Sequence, residues 1–260
     1  MAPYRFFLEG QVLGHGTLGP FALRLAPDDM RHAAVLRLEA GERLAVVDAV
    51  GDCFECEVVR FSPGTLEVRI VRCSTAPGAS PVVALAQGIA KGDKMDQVVR
   101  QATELGVSAF LPFTSERSVV RLAPEKAAAR TERWRAVAKS AAMQSGQGRI
   151  PEVAEPKTLK ELAAFTAQAT AVLVFWEEAH TGSIAAVLDK ALAALRVEPA
   201  DARVVAVVGP EGGLGEGEVS LLLRANPRAG LVSLGPSILR TETAGVVASA
   251  LTLYELGGLR

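Results

Sequence analysis

Two loops in the last quarter of the chain carry the residues whose types and spacing point to binding chemistry. Gly209-Pro210-Glu211-Gly212-Gly213 follows the apolar run 204–208, and Leu234-Gly235-Pro236-Ser237-Ile238-Leu239-Arg240-Thr241-Glu242-Thr243-Ala244 follows a second apolar run. Loops rich in Gly and Pro that leave a buried strand and enter a helix bring main-chain donors and acceptors up to a small molecule. Neither loop has the Gly-x-x-x-x-Gly-Lys-Ser/Thr run of a phosphate loop or the Gly-x-Gly-x-x-Gly turn of a dinucleotide site. Behind Gly213, Glu216 and Glu218 stand in the first turn of the next helix, where carboxylates complement the helix dipole but repel phosphate. The chemistry expected is therefore recognition of a ligand that is neutral or cationic at its bound end.

A second functional signal is charge. The net charge is -1, yet residues 91–150 hold 11 Lys and Arg against 6 Asp and Glu, a local field suited to a polyanion. Candidate phosphate contacts in this segment are Lys91, Lys94, Arg100, Arg117, Arg121 and Arg149. The cysteines offer less. Cys53 and Cys56 form one C-x-x-C, but they sit in a strand-like segment where positions three apart face opposite sides, and no His lies near them in sequence. Reduced thiols and no metal site are expected. Gly14-His15-Gly16-Thr17-Leu18-Gly19 matches the dinucleotide pattern letter for letter, but Pro20 and a strand-like Phe21-Ala22-Leu23 follow it, so it reads as a hairpin turn.

The elements that must position these residues fall into two domains. Residues 1–73 read as short strands (5–8, 21–25, 44–48, 53–61 and 66–72) with one helix over 28–37, a spacing that predicts a small β-barrel. Residues 74–81 form a linker rich in Pro, Gly and Ser. Beyond it, over 82–260, strands (82–89, 108–113, 171–176, 203–208, 231–234) alternate with helices (93–105, 124–144, 158–167, 183–195, 216–224, 242–256), which predicts an α/β domain with a mostly parallel sheet. Met95, Val98, Val99, Ala102 and Leu105 mark the core face of one helix, with Asp93 at its N-cap; Val247, Ala250, Leu251 and Tyr254 mark that of the last. Val204-Val205-Ala206-Val207-Val208 has the unbroken hydrophobicity of a strand buried on both faces. No run of some twenty apolar residues and no signal-peptide core is present, so a cytoplasmic protein without membrane attachment is expected.

In combination, the two C-terminal loops resemble the S-adenosylmethionine site of the SPOUT methyltransferases, and within that superfamily the chain is most similar to the bacterial 16S rRNA (uracil-N3)-methyltransferase family. Further matching stretches are His32 to Leu38, Lys91-Gly92-Asp93-Lys94-Met95-Asp96, Thr103-Glu104-Leu105-Gly106-Val107, Ser115-Glu116-Arg117-Ser118 and Gln144-Ser145-Gly146. One departure stands out: Gln147 takes the place of the family's usual arginine, with Arg149 two residues later. The resemblance implies a C-terminal trefoil knot, a homodimer with the cofactor near its interface, and a PUA-like RNA-binding barrel at the N-terminus.

It also implies roles. Gly209, Pro210, Glu211, Gly212, Gly213, Leu234, Gly235, Ile238, Leu239, Arg240, Thr241, Thr243 and Ala244 become cofactor-binding candidates, and Arg37, Lys91, Lys94, Arg117 and Arg149 RNA-binding ones. Methylating uracil N3 removes an imide proton and spreads negative charge over the ring carbonyls, so positioning and electrostatics dominate. Arg240 is the catalytic candidate for that charge, with an ion pair to Glu242 or Glu211 as its structural alternative. No general base is assigned, because Glu211 and Glu242 stand at helix starts where carboxylates serve the backbone. The rival readings are a SPOUT enzyme acting on another RNA target, tRNA or 23S rRNA, and a non-enzymatic RNA-binding or ribosome-assembly module. Binding of S-adenosylmethionine separates the last from the others.

Overall fold

The computed structural model of the chain describes residues 4–14, 16, 19–74, 80–118, 123–179 and 181–259. Most of the expected linker and His15, Thr17 and Leu18 of the glycine-patterned turn lie outside these residues, as does Arg121. The chain divides into two units, Met1–Gly78 with Ala142–Arg149, and Ala79–Ala141 with Ile150–Arg260. Residues 142–149 thus join the first unit, where a single cut near residues 74–81 was expected.

The first unit is a five-stranded mixed sheet. Its strands are β1 (Tyr4–Phe7), β2 (Phe21–Ala22), β3 (Arg43–Val47), β4 (Cys53–Ser62) and β5 (Thr65–Ser74), in the order β1-β3-β4-β5-β2, with helix α1 over Pro27–Leu36. Only β1 and β3 run parallel; the other pairs are antiparallel. Alternation sets the inner face: Phe54, Cys56 and Val58 of β4 point into a core with Phe6, Leu44, Val46, Leu66 and Val68. The pairings among the described residues trace an open path with β1 and β2 at its ends, rather than the closed ring of a barrel. Met143 packs on this core, and Arg5 Nη1 donates to the Gln147 carbonyl at 2.7 Å, which ties residues 142–149 to β1.

The second unit is a parallel sheet covered on both faces. It comprises β6 (Val82–Gly88), β7 (Ala109–Thr114), β8 (Glu152–Val153), β9 (Lys157–Thr158), β10 (Ala171–Phe175), β11 (Arg203–Val208) and β12 (Ala229–Val232), in the order β12-β10-β11-β6-β7-β8 with β9 also on β7. The helices are α2 (Lys94–Leu105), α3 (Pro124–Ser145, which from Ala142 on belongs to the first unit), α4 (Leu159–Thr166), α5 (Ile184–Leu195), α6 (Glu216–Ala225) and α7 (Thr241–Glu255). Strand β11 shows why an unbroken apolar run was needed: Val204, Ala206 and Val208 enter one core and Val205 and Val207 the other. The two-residue strands β8 and β9 are too short to leave a periodic signal. No helix among the described residues is long and apolar enough to cross a membrane.

Helix α2 buries Met95, Val98, Val99 and Ala102 of its expected stripe, with Leu105 partly buried against the same core, and Asp93 holds the N-cap position, though its side chain makes no capping hydrogen bond. Helix α7 is a correction. Leu251 and Tyr254 are 42% and 53% exposed, and the inward face is Gly245, Ala248, Ser249, Thr252 and Leu253. Ser249 and Thr252 donate their hydroxyls to the carbonyls of Gly245 and Ala248, at 2.8 and 2.7 Å, which removes the cost of burying them. Small residues let α7 lie close against α2 and the sheet.

Candidate functional site

Because β12, β10, β11 and β6 are parallel neighbours, their carboxyl ends share one edge, and the loops that leave them meet there. The segments after β10, β11 and β12, with Lys94 of α2, enclose a cavity of about 400 Å³, within the size range of small-molecule pockets. Of the expected cofactor residues, Gly209, Pro210, Glu211, Gly213, Leu234, Gly235, Ile238, Leu239, Arg240, Thr241 and Ala244 line it. Gly212 and Thr243 do not. Thr243 lies exposed on α7, and a Cβ on Gly212 would meet the Arg117 carbonyl at 2.8 Å, so Gly212 accommodates a neighbouring loop rather than a ligand.

Close backbone approach builds the first loop. A Cβ on Gly88 would collide with the Pro210 nitrogen, and one on Gly209 would lie 2.9 Å from the Gly213 carbonyl carbon. Gly213 has φ +70°, a conformation that a side chain disfavours. The second loop is fastened to the first by a buried polar clamp. Gln87, fully buried at the end of β6, donates from Nε2 to Thr241 Oγ1 at 2.9 Å and to the Gly88 carbonyl at 3.2 Å. Thr241 Oγ1 in turn donates to the Gly209 carbonyl at 2.6 Å. Gly245 is glycine because a Cβ there would run into the Gln87 side-chain oxygen. Sequence reading missed Gln87; its one signal was a lone amide in an otherwise apolar strand.

Charge is arranged around Lys94. Its Nζ lies 3.1 Å from Glu211 Oε1 and 3.3 Å from Glu242 Oε2, joining the starts of α2 and α7 to the first loop. The hydrogen bond to Glu211 is the main cause of a Lys94 pKa above its ordinary value. Burial works against the Glu211 carboxylate, but donation from its own amide, from the Lys91 amide at 3.0 Å and from Lys94 outweighs burial and lowers its pKa. Lys94, expected as an RNA contact, is thus a cavity residue engaged with two carboxylates. The ion pair considered for Arg240 is not formed: both carboxylates face Lys94, and Arg240 stands exposed at the cavity as the N-cap of α7.

The other basic candidates are distributed. Arg37 and Arg149 are exposed in the first unit, Arg37 as the left-handed C-cap of α1. Lys91, Arg100 and Arg117 are exposed in the second, with Arg117 Nη1 reaching the Gly212 carbonyl at 3.5 Å. The loop of Ser115 to Ser118 is held near α6 by Glu218, which accepts from the amides of Glu116 at 2.8 Å and Gly215 at 2.9 Å. Sequence reading also missed the segment after β10. Trp176 and Glu177 line the cavity, and the Trp176 indole donates to the Leu214 carbonyl at 3.1 Å. An aromatic and an acid directly behind a buried strand were the available signal.

A family model described as an RNA methyltransferase domain matches residues 78–253. A relative from Bacillus subtilis named ribosomal RNA small subunit methyltransferase E is 32% identical over 228 residues, covering 87% of each chain. One of the same name from Mycobacterium bovis is 35% identical over 226 residues, covering 85% of this chain and 82% of its own. Among solved structures, a ribosomal RNA small subunit methyltransferase E from Neisseria gonorrhoeae, bound to S-adenosyl methionine, superposes with a TM-score of 0.77 at 29% identity over 95% of both chains. With both C-terminal loops inside the matched region and the alignment running through both units, the chain belongs to the RNA methyltransferase family that these small-subunit enzymes share.

Proposed function

We propose that this protein transfers a methyl group from S-adenosylmethionine to N3 of a specific uridine in the 16S rRNA of the small ribosomal subunit. The observation that carries the reading is the cavity formed by two glycine loops at one sheet edge, with no unpaired lysine in its wall. Such a site fits the proposed cofactor: apolar side chains and main-chain groups suit an adenosine, and the one lysine in its wall, Lys94, is paired with Glu211. Gly209, Pro210, Gly213, Leu234, Leu239 and Ala244 hold it. When bound, S-adenosylmethionine supplies an electrophilic methyl group. The chain's part is to place the base and stabilise its charge. Arg240, exposed at the cavity and engaged by neither nearby carboxylate, serves the anionic base. Glu211, kept ionised by amides and Lys94, holds its loop rather than taking the imide proton.

The rest of the reading follows the family. A knotted path through the C-terminal loops and a homodimer belong to it, the latter supported by the outward apolar face of α7, with Leu251 and Tyr254, and by Ile238, 91% exposed beside the cavity. The first unit serves as a PUA-like RNA-binding module in the cytoplasm, with Arg37 and Arg149 as contacts. Lys91 and Arg117 contact RNA from the second unit. Treating small subunits from a strain without the enzyme with protein and labelled cofactor, then mapping the label, tests the proposal. Label at a single uracil N3 is expected; label elsewhere in the RNA, or none, overturns it.

A further inference from the structure

The cavity wall that the two glycine loops do not supply is the segment after β10, and it brings a carboxylate. The hydrogen bond from Trp176 to Leu214 fixes this segment against the first loop. Next to it, the Glu177 carboxylate takes the space that Gly213 leaves open: a Cβ on Gly213 would run into Glu177 Oε1. Four charged side chains line the cavity. Lys94 and Glu211 pair with each other, whereas Glu177 makes no hydrogen bond or ion pair to another described residue.

We infer that Glu177 is the acceptor for the vicinal ribose hydroxyls of the bound nucleoside, an assignment that rests on the cofactor reading above. A carboxylate offers two acceptor oxygens, and a vicinal diol offers two adjacent donors. Glu177 also stands at the carboxyl end of β10, the strand beside β11, which carries the first glycine loop. An acid in a comparable place, near the glycine loop of a parallel sheet, reads the ribose in dinucleotide-binding folds. The competing partners for a carboxylate are two cations of the ligand: the amino-acid ammonium, which the deoxy ligand below tells apart from the hydroxyls, and the sulfonium. Methyl transfer discharges that cation, so a carboxylate against it would hold the ground state more strongly than the transition state and slow the reaction. Contacts to hydroxyls are the same in both states and carry no such cost.

Calorimetry on the full chain tests this with S-adenosylmethionine, S-adenosylhomocysteine and the 2′-deoxy form of the latter. Glu177→Ala and Glu177→Gln should weaken the first two by the same factor, about tenfold or more for loss of a hydrogen bond to a charged group. The wild-type protein should lose affinity on removal of the 2′-hydroxyl, and Glu177→Ala should not. Weakening of S-adenosylmethionine alone would assign the carboxylate to the sulfonium and overturn the inference. So would a Glu177→Ala protein that still rejects the deoxy ligand by the wild-type factor. If the wild-type protein binds neither ribose-bearing ligand, the cofactor reading itself falls; if it binds both and the variants match it, only the role of Glu177 falls. Because Glu177 is exposed, the thermal midpoints of the variants should stay near the wild-type value, separating lost recognition from lost fold.

Discussion

Thr241 Oγ1 donates to the Gly209 carbonyl at 2.6 Å while accepting from the buried Gln87 amide, so a single hydroxyl joins the two loops that form the cavity. Thr241→Val keeps the shape and removes both bonds. It should cost about 1–3 kcal/mol of stability, since the Gln87 amide loses its shortest side-chain bond and the Gly209 carbonyl its hydroxyl donor in a buried setting. Cofactor affinity should fall with it, and Thr241→Ser should recover most of both. Urea denaturation and calorimetry on the two variants check this.

Two glycines of one segment should behave oppositely. Gly213→Ala meets a positive φ and the Glu177 carboxylate, so it should weaken cofactor binding and destabilise the fold. Gly217→Ala faces open space inside α6 and should stabilise by about 0.5–1 kcal/mol with binding unchanged. Equal losses in both would mean that the cost at Gly213 does not come from its positive φ or from Glu177.

The Lys94 cluster predicts a pH dependence. Glu211 has a folded pKa below its ordinary 4.5, so its contribution is fully present above that value and is lost as pH falls through the lower, folded one. Lys94, raised above 10.5, contributes fully below that value and loses its contribution as pH rises through its folded pKa. Lys94→Met should therefore lower stability at neutral pH and flatten the fall below pH 4.5. Denaturation midpoints measured across the acid limb give the comparison; parallel curves for the two proteins would mean the cluster adds nothing.

Arg240→Ala should leave the thermal midpoint within the range of an ordinary surface change, because neither Glu211 nor Glu242 depends on Arg240 for a partner. Turnover should fall by the equivalent of about 2–4 kcal/mol through lost charge stabilisation. RNA affinity should be largely kept, since other contacts remain. Single-turnover methyl transfer and filter retention measure the two effects, and transfer at the parent rate would make Arg240 a structural residue.

Cys56 should be inert in the folded protein. Burial, with a smaller effect from Cys73, pushes its thiol up to about 12, so almost no thiolate exists at neutral pH. Timed alkylation followed by peptide mapping should label Cys53 and Cys73 first and Cys56 only on unfolding. Early labelling of Cys56 would mean that β4 opens locally.

Where hydrophobic pattern and tertiary packing agree, the elements were legible in the amino-acid sequence. The unbroken apolar run of β11 announced a strand buried on both faces, the stripe of α2 announced its core side, and the glycine loops announced themselves by composition. Helix α7 was misread because hydrophobicity alone does not choose a face. Burying small residues and back-bonded hydroxyls let the helix approach closely, and Leu251 and Tyr254 were left outside. Local pattern likewise could not show that Lys94, rather than Arg240, meets Glu211 and Glu242, or that Glu177 reaches Gly213. Those meetings depend on which parallel strands are neighbours, β12-β10-β11-β6, an order set by long-range pairing and carried by no single segment. The sequence by itself determined which two loops would line a cavity; only the tertiary structure decided which side chains face one another across them, because distance in space is not encoded by spacing in the chain.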